Sequence, residues 1–292
     1  MKLILLALLV SVTACNRGKF TEGRMFAGGK AVDAATLNLG HTTYLEYCVQ
    51  CHGLAGDGKG VSSAGSYPPP RNLTQGLYKF PNVPYGELPH DVDFHRIIHK
   101  GLNGSAMLPW DISDERLDAV TQYIKTFAPQ TWEGADKVLG TKIEPTPNPY
   151  GDDKRVEAIA RGEKVYHIVA QCTTCHRAYA SMDQINAWSK EINGTDMAGM
   201  DETLYQLKLQ DSEYNYKVIP PDFTYHPLRS IHSTADIYQR MLYGVAGSGM
   251  PGWKDVVSDD DLWALTYYVE DLMKLKNDQQ ARQALMNRIE TK

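Results

Sequence analysis

Cysteine is scarce in this chain, at five residues in 292. Scaffolds held by disulfides are short and dense in cysteine, so a disulfide framework is excluded. Long apolar runs are missing too. Past the first 14 residues no segment approaches the eighteen apolar residues of a membrane-crossing helix, which predicts a soluble body. Nor is there a basic excess: 30 Lys and Arg stand against 35 Asp and Glu, for a formal charge of −5. Such a balance argues against nucleic acid as a partner. It favours a basic protein surface, approached at a rate that falls as salt rises.

Four of the five cysteines fall in two pentapeptides, Cys48-Val49-Gln50-Cys51-His52 and Cys172-Thr173-Thr174-Cys175-His176. C-x-x-C-H is the attachment signal of c-type haem. Two thiols bond to the vinyl groups, and the imidazole of the following histidine supplies an iron ligand. Cysteines three positions apart sit about one turn apart, so the histidine can swing beneath the ring they hold. C-x-x-C could also be half of a zinc site or a redox pair. A zinc ribbon, though, needs two pairs converging on one metal and has no use for a histidine after each. The expected cofactors are two covalently bound haems (haem c, iron), one on Cys48, Cys51 and His52, the other on Cys172, Cys175 and His176.

The fifth cysteine has a different setting. Met1-Lys2 is followed by an apolar run from Leu3 to Val12, and then by Thr13-Ala14-Cys15. A run of ten is too short to span a bilayer but fits the core of a signal peptide. Small residues before a cysteine resemble the bacterial lipobox, which implies removal of residues 1–14 and lipidation of Cys15. An ordinary signal peptide ending near a cysteine is the other reading. The lipobox predicts an exported protein on the periplasmic side of a bacterial membrane, held there by its lipid, with residues 15–37 as a flexible tether.

The chain repeats itself. Asp93, Gly101, Gly104, Ser105, Met107 and Trp110 recur as Asp236, Gly244, Gly247, Ser248, Met250 and Trp253, at an offset of 143, whereas the pentapeptides recur at 124. The second copy is therefore 19 residues longer between pentapeptide and methionine. Met107 and Met250 each stand in a Gly/Pro-rich loop between helical stretches. A lone methionine is more often core filler, yet packing alone asks little of such a loop. Thioether sulfur is a soft ligand, and His/Met ligation raises a haem potential. The metal ligands expected are thus His52 with Met107, and His176 with Met250. His95 and His99, four apart on a helix, and His226 and His232 are weaker rivals with no counterpart in the repeat.

Helices are expected from Thr42 to Cys48 and from Val156 to Cys172. Two more follow Ser113 and Ser258, placed as N-caps before acidic first turns. Gly40 and Gly162 would let a first helix approach a last one closely, with Tyr44 and Tyr123, or Tyr166 and Tyr268, packed beside them. Haem motif, glycine-rich loop, methionine loop and terminal aromatic helix, in that order, resemble a class I cytochrome c domain in each half. The resemblance implies an all-α fold of two tandem domains, 38–130 and 154–276, joined by a Pro-containing linker, 131–153. Residues 277–292 form a polar helical extension, read as solvated. It further implies that Cys51 to Gly58 cradles haem. Backbone carbonyls near Pro68-Pro69-Pro70 and Pro220-Pro221 would accept from the ligand histidines. The second copy departs from the pattern, since Arg177-Ala178 follows His176 in place of the usual glycine.

Two His/Met haems leave no open iron position, so the expected function is one-electron transfer rather than catalysis. Expected partners are a membrane respiratory complex and a periplasmic or terminal oxidoreductase, with the chain either freestanding or a subunit of such a complex. The alternative is a dihaem peroxidase, which needs a displaceable ligand on one iron; a methionine loop in both copies argues against it.

Overall fold

Helices build nearly all the regular structure, as expected of an all-α chain. The computed structural model describes residues 18–151 and 153–290; Cys15 and the stretch read as its signal peptide lie outside them. The chain opens with a hairpin, β1 (Arg24–Phe26) against β2 (Lys30–Val32). Then come α1 (Ala34–Tyr47), the single turn α2 (Val49–His52), α3 (Asp91–Lys100), α4 (Asp114–Lys125) and a short α5 (Pro129–Trp132). The second half holds α6 (Arg155–Lys164), α7 (Met182–Asn193), α8 (Thr234–Tyr243), α9 (Asp259–Lys274) and α10 (Gln279–Glu290).

The repeat is visible in the packing. Helix α1 lies on α4, and α6 lies on α9. Glycine permits both approaches. A Cβ on Gly40 would stand 2.6 Å from the Ala119 carbonyl carbon and 2.8 Å from Tyr123 Cβ; on Gly162 it would stand 2.6 Å from Ala264 and 2.7 Å from Tyr268 Cβ. The expected tyrosines meet beside these crossings, Tyr44 with Tyr123 at 5.3 Å between ring centroids and Tyr166 with Tyr268 at 5.6 Å. One apolar core gathers Phe26, Leu37, Tyr44, Phe94, Leu117, Val120 and Trp132; another gathers Val165, Tyr166, Ile237, Tyr238, Leu262, Leu265 and Val269.

Several expected boundaries move. Residues 15–37 are not a free tether where the structure describes them. Phe26 is fully buried, Asn38 Oδ1 accepts from Phe20 N–H at 2.9 Å, and Lys30 bridges Asp91 and Asp118. Helix α1 therefore starts well before Thr42, where Asp33 caps it by accepting from Thr36 N–H at 2.7 Å. The helix expected to run to Cys172 stops early. Val165–Val169 widen into a π turn, and Gln171 sits at φ 47 before a 3₁₀ turn over Cys172–Thr174. Ser258 caps α9, but Ser113, in the same place before α4, makes no side-chain capping bond.

The linker is extended as its prolines require, and both of its ends are anchored. Its start is tied to the first half through buried Trp132 and Gly140 N–H to Leu88 O at 2.8 Å. Its end is tied to the second, where Tyr243 Oη donates to Ile143 O and Trp263 Nε1 to Thr146 O. Of the extension 277–292, read as solvated, the described part, residues 277–290, instead docks. Leu285 and Ile289, four apart on α10, bury together against the second core, and Arg177 donates to Met286 Sδ at 3.4 Å. Polar composition hid that two-residue apolar stripe.

Candidate haem sites

The first pentapeptide sits at a joint. Helix α1 ends with Cys48 N–H donating to Tyr44 O, and α2 then turns once, with His52 N–H donating to Cys48 O, both at 2.9 Å. That single turn brings His52 round above Cys48, four positions back. His52 Nδ1 lies 3.0 Å from Arg71 O. A carbonyl can only accept, so Nδ1 carries the proton and Nε2 is left bare, the form a metal ligand needs. Burial pushes the ring's pKa down, which keeps it neutral. Residues 53–60 wrap back beneath the turn, with Gly58 N–H donating to His52 O and Gly60 N–H to Cys51 O.

The second pentapeptide repeats this geometry on a different support. His176 N–H donates to Cys172 O at 2.9 Å, and His176 Nδ1 lies 3.2 Å from Pro221 O. The same tautomer follows, and burial pushes this imidazole down to about 4. Phe223 stacks on the ring at 4.8 Å. Tyr44 Oη donates to Gly53 O in the first half, and Tyr166 Oη to Arg177 O in the second, each tying a core tyrosine to the residue after the histidine. Arg177, where a glycine was expected, pairs with Asp222 at 3.0 Å, and Asp222 also accepts from Tyr179 Oη. Ala178 N–H donates to Leu204 O in the inserted segment. The longer second copy thus replaces a glycine loop with a buried ion pair and a stretch of its own chain.

Each methionine comes to the edge of the core that its pentapeptide borders. Met107 packs on the first core, as does Cys48; Met250 packs on the second, as does Cys172. Both loops are closed the same way, with Leu102 N–H donating to Met107 O and Val245 N–H to Met250 O. Two of the rival histidines are engaged elsewhere. His99 Nδ1 faces Trp110 O at 3.1 Å, and His226 Nδ1 accepts from Asp222 N–H at 3.0 Å. No group of three or more His, Cys, Asp or Glu placed to hold a metal ion occurs among the described residues, so C-x-x-C finds no further ligands for zinc there.

The donor set fits a haem: a bare imidazole nitrogen, two half-buried free cysteines and a thioether at one core edge. Burial pushes Cys48 and Cys172 up to about 12, so both are held as thiols. Residue types could not show that Arg71, and not one of the three prolines before it, presents the first carbonyl, because a backbone acceptor leaves no mark on its side chain.

The family model for cytochrome c oxidase, cbb3-type, subunit III matches the chain twice, over residues 35–124 and 157–269. The chain belongs to this family. It is a c-type cytochrome, with covalently attached haem as cofactor and electron transfer as its work. Among solved structures, the cytochrome is similar to a chain of the reducing HAO-like protein complex of Kuenenia stuttgartiensis. The two share 31% identity over 80% of this chain and 95% of that one, with a TM-score of 0.58. No curated protein matches the chain. Among the described residues no helix is long and apolar enough to cross a membrane.

Proposed function

We propose that the chain carries two haems, on Cys48 and Cys51 and on Cys172 and Cys175, ligated by His52 with Met107 and by His176 with Met250. Residues 38–130 and 154–276 are the two haem domains. Haem supplies a one-electron couple when bound. The chain's own residues orient each imidazole through Nδ1–H, keep it neutral by burial, exclude water with the two aromatic cores, and present a soft thioether. With a histidine and a methionine held for each iron, no position would be left for a substrate, so the protein would be a relay rather than an enzyme. The observation that carries this reading is the matched geometry of the halves: a histidine tied through Nδ1 to a backbone carbonyl, and a methionine loop at the core edge that holds the first cysteine.

Residues 1–14 direct export, Cys15 carries the lipid, and the relay works on the periplasmic side of a membrane. Its partners are a membrane respiratory complex and a periplasmic or terminal oxidoreductase. The solved relative belongs to a protein complex, which supports a role as a subunit of such an assembly. Intact-mass measurement tests the haem count: two haems in the unsubstituted chain, and one in Cys48→Ser/Cys51→Ser or in Cys172→Ser/Cys175→Ser. A single haem throughout would overturn the count. Cys15→Ser should leave membranes for the aqueous fraction, and retention in the membrane fraction would remove the anchor.

A further inference from the structure

The interface between the halves holds groups that neither ligand set uses, and they converge on the two methionine loops. The loop bearing Met107 reaches across to the second half. Asn103 N–H donates to Arg229 O at 2.8 Å, its side-chain amide donates to Ile231 O at 2.7 Å and Leu228 O at 3.3 Å, and Gly104 abuts Pro227. The loop bearing Met250 is met from the other side. Tyr214, from the stretch between the second pentapeptide and its methionine, donates its hydroxyl to Ala246 O and lies against Gly247, which also faces Leu77 of the first half. The Arg71 guanidinium lies over the Tyr214 ring, 3.6 Å from its centroid. Arg71 is the residue whose carbonyl accepts from His52, so one residue touches both sites: its backbone the first histidine, its side chain the brace of the second methionine loop.

Thioether is a neutral, weak ligand whose hold depends on how little freedom its loop must lose on ligation. A loop fixed in advance pays less entropy, and ligation tightens accordingly. We propose that each methionine loop is held in its ligating position by the opposite half of the chain, with Asn103 and the Arg71–Tyr214 pair as positioning residues. The inference rests on the His/Met reading above. Tyr214 supplies the contact through which the first half reaches the Met250 loop. Such bracing makes the iron coordination of each half depend on its neighbour, so a partner that parts the halves would open a coordination position at both irons.

The test uses the full haem-loaded protein and imidazole as the probe that displaces methionine. Proton NMR of the reduced state reports the ring-current-shifted methyl signal of each bound methionine, assigned with Met107→Leu and Met250→Leu. Arg71→Gln, which keeps the carbonyl, and Tyr214→Leu should raise imidazole affinity at the second haem about tenfold, the factor that a cation–π contact of about 1.4 kcal/mol would contribute. With Tyr214→Leu, which leaves Arg71 in place beside His52, the first haem should stay within about twofold. Asn103→Ala should do the converse. Unchanged imidazole affinity at the braced haem, in variants that fold and keep both methyl signals, would overturn the positioning role. An unsubstituted protein lacking shifted methionine signals would instead overturn the His/Met reading itself, and so the two failures are told apart.

Discussion

Adding one methyl group at Gly40 tests the helix crossing on which the first haem site is hung. The Cβ of Gly40→Ala would stand 2.6 Å from the Ala119 carbonyl carbon and 2.8 Å from Tyr123 Cβ, where ordinary contact needs about 3.4 Å or more. The nearest atoms are backbone of α4, so a side-chain rotation cannot make room; α1 and α4 must part by the better part of an ångström. Overpacking of this kind costs about 1–3 kcal/mol, and separating α1 from α4 also loosens the Tyr44–Tyr123 contact. Alanine returns about 1 kcal/mol of helix propensity, which the loosened aromatic contact, worth about 0.5–1.5 kcal/mol, offsets. The net expectation is a loss of about 1–3 kcal/mol, read from guanidinium unfolding of the haem-loaded protein by far-ultraviolet circular dichroism. Gly162→Ala meets the same atoms of Ala264 and Tyr268 at nearly the same distances, so it should cost the same within about 1 kcal/mol. Gly29→Ala, where nothing lies within 4 Å, controls for handling and should show only the cost of its positive φ. A neutral or stabilising Gly40→Ala would refute the close approach.

Three further expectations come from buried groups. His167 is fully buried in the π turn and burial pushes it down to about 4. The unfolded chain protonates near 6.5, so its contribution is fully present above pH 6.5 and is lost as pH falls towards 4, about 3 kcal/mol in all. His167→Gln should flatten that part of the pH–stability curve, and an unchanged slope would contradict the burial argument. Lys125, 1% exposed, pairs with Asp91 at 2.5 Å and donates to Gln122 Oε1 at 2.9 Å, so Asp91→Asn should cost about 3 kcal/mol by leaving a buried cation without its carboxylate, while Asp91→Asn/Lys125→Met should recover part of it. A double variant no more stable than the single would refute the pairing. Truncation after Asn277 removes the buried Leu285 and Ile289 and should cost the second half about 3–5 kcal/mol in calorimetry; an unshifted transition would mean that α10 does not dock.

The pentapeptides, the paired methionines and the glycine crossings were all legible in the sequence, because each depends on residue type at fixed spacing. What stayed hidden depends on tertiary contact. Phe26 looked like part of a polar tether, yet a single aromatic with a glycine turn beside it suffices to dock a hairpin. Leu285 and Ile289 make too thin a stripe to stand out among the polar residues of α10. The π turn at Val165–Val169 reads as ordinary helix until His167 is seen accepting from Tyr179 N–H and facing Glu163 O across it. Tyr214 and Arg71 lie 143 residues apart, so only the docking of one half on the other brings ring and guanidinium together.

The central claim is that one chain holds two haems of like ligation. Near-infrared magnetic circular dichroism, followed through a redox titration of the purified protein with hydrogen peroxide turnover assayed on the same sample, addresses it directly. The account predicts two low-spin haems, both with the thioether-to-ferric charge-transfer signature, two positive potentials and no turnover. A high-spin or bis-histidine haem accompanied by peroxidase activity would contradict it, and would remove Met107 or Met250 from the ligand set.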